Sequence, residues 1–243
     1  MSLLSVEDLH KHFMGNIVLD GVSLDINEGE SVGLIGPNGA GKTTLVNVLT
    51  GFIPPDAGSV HLGGERIDSL KPYQVSRRGV RRTFQLTRNF ERLSVLDNLL
   101  VAAAASGVAR SIAEQRAEIL LEELSLTQVA NAPAEKISGG QQKLLEIAGC
   151  FIVEPRLVIF DEPFAAIHPQ LKKIISDYIV RRRESGQTFV LVSHDIPAFY
   201  GVTERLVAMG EGRILADGPI EEVVADSYVV DAFLGGEAWT SRA

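Results

Sequence analysis

Gly36-Pro37-Asn38-Gly39-Ala40-Gly41-Lys42-Thr43 fits the spacing G-x-x-x-x-G-K-[ST]. The apolar run Ser31 to Ile35 precedes it and a helical pattern over Thr44 to Thr50 follows, which is the strand-to-helix context that spacing requires. Glycines let backbone close around a polyanion, so that successive N–H groups and a helix N-terminus point at it. The stretch from Gly36 to Thr44 is therefore a candidate phosphate cradle. Lys42 would reach the terminal phosphates, and the Thr43 hydroxyl would bind a magnesium ion. The context disfavours the alternative, an ordinary glycine-rich turn.

A second constellation is Asp161-Glu162, which follows the apolar run Leu157-Val158-Ile159-Phe160. Open α/β sheets place ligands at the carboxyl ends of their strands. There Asp161 would orient a magnesium ion or its waters, and Glu162 would polarise an attacking water. Taken alone, two acids after a strand are equally consistent with favourable charges at a helix N-terminus. Ile137-Ser138-Gly139-Gly140-Gln141 is a third element, a serine and two glycines opening a helix, and hence a second anion-binding N-terminus. One nucleotide needs only one phosphate loop, so the second motif is free for a nucleotide held by another subunit.

These motifs need a scaffold of alternating strands and helices. The first third of the chain reads as short strands with turns, from the alternation over Asn16 to Ile26 through the breaker Glu28-Gly29-Glu30 to the strand-like piece Ser59 to Ile67. Leu93 to Leu124 is Ala-, Leu- and Glu-rich at helical spacing, and Asn131-Ala132-Pro133 closes it, which predicts a helical insertion. From Gly139 onward helix and apolar run alternate: Gln141 to Val153, Leu157 to Phe160, Pro169 to Glu184, then Thr188 to Val192. Continuous β-branched runs separated by helices predict a parallel sheet covered on both faces. A hairpin around Glu211-Gly212 and short helical segments finish the chain.

Composition narrows the function classes. The 243 residues suit one domain with a subdomain, and no apolar stretch approaches the ~20 residues of a spanning helix. Lys+Arg 23 against Asp+Glu 31 leaves a net charge of −8, which argues against binding nucleic acid over the whole surface. The arginines Arg77, Arg78, Arg81, Arg82, Arg88 and Arg92 form a local basic cluster that predicts a solvated face or a docking surface. Met1 to Asp8 meets acidic residues before any cationic region, so no secretory signal is expected. Cys150 is the single cysteine; no internal disulfide can form, a reducing cytoplasm is the natural setting, and the thiol is expected to be packed and inert.

In order and spacing these motifs resemble the ATP-binding subunits of ABC transporters, whose signature is Leu-Ser-Gly-Gly-Gln, and the resemblance runs from about Leu4 to Gly236. It implies an α/β fold of the P-loop NTPase type, with a mixed or parallel sheet core, an N-terminal antiparallel β subdomain and a helical subdomain carrying the signature. The implied boundaries are 4–92 with 154–217 for the core, 93–153 for the helical subdomain and 218–243 for a helical tail. It further implies that Phe13 stacks on adenine, that Gln85 senses Mg²⁺ and the γ-phosphate, and that His194 contacts that phosphate. Two such subunits would sandwich two MgATP, each between the phosphate loop of one and the signature of the other, and drive integral membrane permease subunits from the cytoplasmic face.

Thr83 to Phe90, Leu93 to Asn98 and the ending Val230 to Gly235 look like the subgroup serving importers of branched-chain amino acids, amides and urea. That resemblance implies a second, different ATPase subunit and, indirectly, a solute-binding protein. Four positions depart from the family pattern: His168 stands where aspartate precedes proline, Lys143 and Gly149 where arginine is usual, and Ile137 replaces leucine. The rival readings are a nucleotide kinase or GTPase, an ABC ATPase for another cargo such as lipopolysaccharide or lipid, and a non-transport ABC protein. The signature and His194 count against the first, and the chain length counts against the last.

Overall fold

Apolar alternation in the first segment builds two antiparallel strands, β1 (Ser2–Phe13) and β2 (Asn16–Asn27), which turn tightly between Phe13 and Asn16. They are longer than the short strands the pattern predicts. Register shifts, among them those between Val6 and Leu9 and between Lys11 and His12, let β1 bend and stay paired along its 12 residues. The computed structural model describes residues 2–83, 89–165 and 167–234. β3 (Ser31–Ile35), α1 (Lys42–Leu49), β4 (Ala57–Leu62) and β5 (Glu65–Arg66) follow, and β2-β1-β4-β5 form one four-stranded sheet.

α2 (Pro72–Arg77) and β6 (Val80–Arg82) come next, and neither is visible in the sequence pattern. β6 is an edge strand of three residues, two of them arginine, so it shows no apolar run. Three helices then pack on one another, α3 (Val95–Ala105), α4 (Arg110–Glu123) and α5 (Gly139–Phe151). The Asn98 side chain on α3 accepts from the Phe90 N–H at 2.7 Å and donates to the Ser94 carbonyl at 2.8 Å, pinning the loop that enters this helical unit.

β7 (Leu157–Asp161), α6 (Pro169–Glu184), β8 (Thr188–Val192), β9 (Arg205–Gly210) and β10 (Arg213–Pro219) complete a second sheet of order β10-β9-β3-β8-β7-β6. Its strands run parallel except β10, which pairs antiparallel with β9. α7 (Ile220–Ala225) and α8 (Ser227–Leu234) end the described chain.

Both faces of this sheet are covered, as the continuous apolar runs predict. Leu157, Ile159, Val190 and Val192 pack with α1 and the first sheet; Val158, Phe160, Phe189 and Leu191 pack with α5 and α6. On that second face the Phe160 and Phe189 rings stack at 5.7 Å, and Phe151 meets Tyr178 edge-on at 5.0 Å. Each such fully buried side chain contributes about 1.5–3 kcal/mol. These contacts make the strand ends a rigid platform.

Candidate functional site

Strand order alone gathers the predicted residues. β3, β8, β7 and β6 are neighbours and parallel, so their carboxyl ends share one edge, with Leu34 opposite Val192, Val192 opposite Asp161, and Ile159 opposite Arg82. The phosphate-loop residues leave β3, Ser193 and His194 leave β8, and Asp161 ends β7 with Glu162 just beyond it. β6 leads toward residues 84–88; Gln85 therefore lies outside the described residues.

The phosphate loop is shaped by close backbone contacts. A Cβ on Gly36 would lie 2.4 Å from the Met209 carbonyl, and one on Gly41, at φ +100°, would lie 2.7 Å from the Val18 carbonyl. α1 opens on Gly41 with no side-chain cap and no acid in its first turn, so its leading N–H groups have no side-chain acceptor. The Lys42 ammonium lies across the loop, donating to the Gly36 carbonyl at 2.6 Å and the Pro37 carbonyl at 3.0 Å. Burial holds its pKa below the usual lysine value, against the opposing pull of Glu162 and Asp161. A half-buried ammonium beside leading helix N–H groups that no side chain caps is a donor set that fits a polyphosphate.

Glu162 adopts φ +51°, a left-handed backbone that costs a non-glycine residue about 1–2 kcal/mol. Its N–H donates to the Val192 carbonyl at 2.9 Å, and its carboxylate is held from two sides. The Ser193 hydroxyl donates to Oε2 at 3.0 Å, and His194 Nδ1 lies 2.7 Å from Oε1. Ser193 is buried while the His194 ring is 69% exposed, so the serine is the fixed anchor and the histidine the movable one.

Asp161 is held differently. Its N–H donates to the Thr83 hydroxyl at 3.2 Å, and its Oδ2 accepts from Arg82 Nη2 at 2.9 Å in an ion pair with only 8% and 12% of the two side chains exposed. The same guanidinium donates through Nη1 to Asn47 Oδ1 on α1 at 2.6 Å. Among the described residues no three His, Cys, Asp or Glu side chains converge on a metal position. One carboxylate, Asp161, and one exposed hydroxyl, Thr43, on elements flanking a polyphosphate cradle form the sparse oxygen set that suits Mg²⁺, which shares its shell with phosphates and water.

The remaining predicted residues sit apart from this edge. Ser138 caps α5, its hydroxyl accepting from the Gln141 N–H at 3.3 Å while Gln141 Oε1 accepts from the Ser138 N–H at 3.0 Å. Among the described residues their side-chain hydrogen bonds are local, to each other. A Cβ on Gly139 would meet nothing, whereas one on Gly140 would strike Leu171 of α6. Phe13 ends β1 with 41% of its surface exposed and the Lys11 ammonium 5.4 Å over its ring. Its hairpin passes beside the loop, where Val18 faces Gly41.

The basic cluster splits: the Arg82 side chain is buried against Asp161 and Arg81, beside it on β6, donates to Ser106 at 2.7 Å, whereas Arg77 and Arg92 are exposed and Arg78 pairs with Glu65 at 2.6 Å at the surface. Arg88 lies outside the described residues. His168 caps α6, accepting from the Gln170 N–H at 3.3 Å. Lys143 pairs with Glu146 at 3.1 Å, and a Cβ on Gly149 would meet nothing. Cys150 is buried, and burial pushes its thiol up to about 12, so it is inert as expected. Ser193, Arg82 and Asn47 carried no individual assignment from sequence; Ser193 adjoins His194, but nothing in the spacing singles out the other two.

A glycine-rich loop with its lysine, and a buried aspartate followed by a glutamate, at one edge of a doubly covered parallel sheet define a P-loop nucleotide-binding fold. The chain belongs to the ABC transporter family, whose model matches residues 19–165. It is 36% identical to the high-affinity branched-chain amino acid transport ATP-binding protein BraF of Pseudomonas aeruginosa, over 96% of this chain and 98% of that one. It is equally 36% identical to LivG of Escherichia coli, a protein of the same description, with the same coverage. The ADP conformation of an ATP-binding cassette of an ABC transporter superposes with a TM-score of 0.87 at 32% identity, covering 98% of this chain and 100% of that one. The chain is thus an ABC ATPase subunit homologous to the ATPases of branched-chain amino acid importers. Among the described residues no helix is long and apolar enough to cross a membrane.

Proposed function

We propose that this chain binds MgATP at the shared strand edge and hydrolyses it to power import of branched-chain amino acids or related polar solutes. The adjacency of the β3, β8 and β7 ends carries the reading, because it sets Lys42, His194 and Glu162 around one position. Lys42 and the N–H groups from Gly36 to Thr44 hold the phosphates, Phe13 stacks on adenine, and Thr43, Asp161 and Gln85 hold the magnesium ion. The metal, when bound, neutralises charge on the terminal phosphates. Glu162 polarises the attacking water, with Ser193 fixing its carboxylate and His194 turning from it toward the γ-phosphate.

Ser138, Gly139, Gly140 and Gln141 face outward in this reading, toward the nucleotide of a second ATPase subunit. The catalytic core comprises 4–92 and 154–217, the helical subdomain 93–153 and the tail 218–243. A distinct second ATPase, integral membrane permease subunits and, indirectly, a solute-binding protein complete the assembly at the cytoplasmic face of the membrane, without nucleic acid. The homology to BraF and LivG supports the cargo.

Replacing Glu162 with Gln tests the core of this reading. MgATP binding stays intact, turnover falls by at least about 10²-fold, and the variant accumulates as an ATP-dependent dimer, alone or with its partner ATPase. Light scattering that shows monomer in every case with ATP overturns the sandwich. Co-purification with a permease that stimulates ATPase activity when given a branched-chain amino acid and its binding protein tests the cargo.

A further inference from the structure

Arg82 is placed where a counter-ion for the metal carboxylate would be. It is the last residue of β6, and its guanidinium bridges two elements of the site: Nη2 to Asp161 Oδ2 on β7 at 2.9 Å, and Nη1 to Asn47 Oδ1 on α1 at 2.6 Å. The Phe52 ring lies 6.0 Å from the guanidinium carbon. A planar fork with donors fixed in direction holds two acceptors at set angles, which a lysine cannot do. α1 carries Lys42 and Thr43 in its first turn, with Asn47 on the same helix. One side chain therefore ties the metal carboxylate to the helix of the phosphate loop.

We propose that Arg82 is a positioning residue for magnesium, acting through Asp161, and that Asn47 fixes Arg82 for that task. The inference rests on the reading of Asp161 as the metal carboxylate. With Oδ2 occupied by Arg82, the carboxylate cannot rotate freely, and Oδ1 would be the oxygen left for the ion or its waters. Without Arg82 a carboxylate 12% exposed would be a buried charge with no ion-pair partner in contact, only the longer-range pull of Lys42, until magnesium arrives. Arg82 balances it beforehand, so that the site is built before the nucleotide binds. Groups that stand behind metal-holding carboxylates commonly govern metal affinity by about 10–100-fold when removed.

The test is calorimetric titration of ATP into the full chain across a magnesium series and in EDTA, beside steady-state turnover and thermal melting. Wild type is compared with Arg82→Met, Arg82→Lys, Asn47→Ala and Asp161→Asn. Arg82→Met is expected to raise the magnesium concentration for half-maximal ATP binding about tenfold. Its affinity for ATP in EDTA stays unchanged, and kcat falls more than KM rises. Arg82→Lys restores part of the loss, and Asn47→Ala shifts the magnesium requirement in the same direction by a smaller factor.

An unchanged magnesium requirement in Arg82→Met, with Asp161→Asn shifted, overturns the role of Arg82 alone. A requirement unchanged in Asp161→Asn overturns the reading beneath it. An equal loss of ATP affinity in EDTA shows a merely structural residue, and a lowered magnesium requirement shows a cation that competes with the metal; both overturn the inference. Should Arg82→Met fail to fold by melting, Asn47→Ala decides, and no shift in its magnesium requirement overturns it.

Discussion

Glu162 Oε1 lies 2.7 Å from His194 Nδ1, while the other oxygen of the same carboxylate accepts from Ser193 at 3.0 Å. Two consecutive residues after β8 thus grip the glutamate that follows β7. The buried serine keeps its place while the exposed imidazole can swing away. In the proposed mechanism the glutamate keeps the Ser193 bond as an orienting contact while His194 turns to the phosphate.

Removing that bond gives the first expectation. Ser193→Ala leaves Glu162 steered by His194 alone and is expected to lower kcat about tenfold, the loss of roughly 1.5 kcal/mol from a hydrogen bond to a charged group. KM for ATP stays near the wild-type value, since the Ser193 hydroxyl bonds Glu162 and the Asp195 N–H and, among the described residues, no hydrogen bond joins it to the phosphate loop. Steady-state kinetics check this, and a raised KM at unchanged kcat would place Ser193 in binding instead.

Lys42→Ala removes the only charged side chain of the phosphate loop and both of its bonds to loop carbonyls. ATP binding is expected to vanish in calorimetry, because the phosphates lose their charge-assisted donor. Melting temperature in the absence of nucleotide should hold or rise, since burial opposes the lysine charge. Unchanged ATP affinity would remove the phosphate-loop assignment.

His168 occupies a position where an aspartate is expected, and it caps α6 through its ring nitrogen. Asp at this position would cap the helix equally and favour its dipole, so His168→Asp keeps the fold and any change in rate reports the loop. The isolated wild-type chain is expected to hydrolyse ATP slowly, a second related ATPase to raise the rate, and His168→Asp to raise it without the partner. ATPase assays on the three samples decide between this and a fast, cooperative homodimer that the substitution slows.

Asp56 gives a pH signature. The Lys11 ammonium, bonded at 2.8 Å, and the His12 N–H hold its carboxyl at about 2, below the ordinary 3.8. A depressed folded-state pKa contributes stability above the unfolded value and loses it as pH falls through the folded one. The melting temperatures of wild type and Asp56→Asn should therefore differ at pH 5 and converge as pH falls from about 4 to about 2. A difference constant across that window would mean that the Lys11 pair does not form in solution.

Much of this was legible in the residues. The G-x-x-x-x-G-K-[ST] spacing, the acids after Phe160, and the Ser-Gly-Gly helix start point to the phosphate, metal and second-nucleotide chemistry proposed above, because each depends on local backbone geometry that a few adjacent residues impose. The apolar runs of β7 and β8 announce a sheet covered on both faces, since hydrophobic burial follows period and length. What tertiary structure decided is who stands beside whom. β3 adjoins β8 and β8 adjoins β7 only through strand order, which sets Lys42, Ser193, His194 and Glu162 at one edge from positions far apart in the chain. β6, too short and too charged to show a pattern, turns Arg82 from a member of a basic cluster into the buried partner of Asp161. A charge run in sequence says nothing of direction; here the pairing of β6 with β7 carried Arg82 inward, where burial made a carboxylate its necessary neighbour.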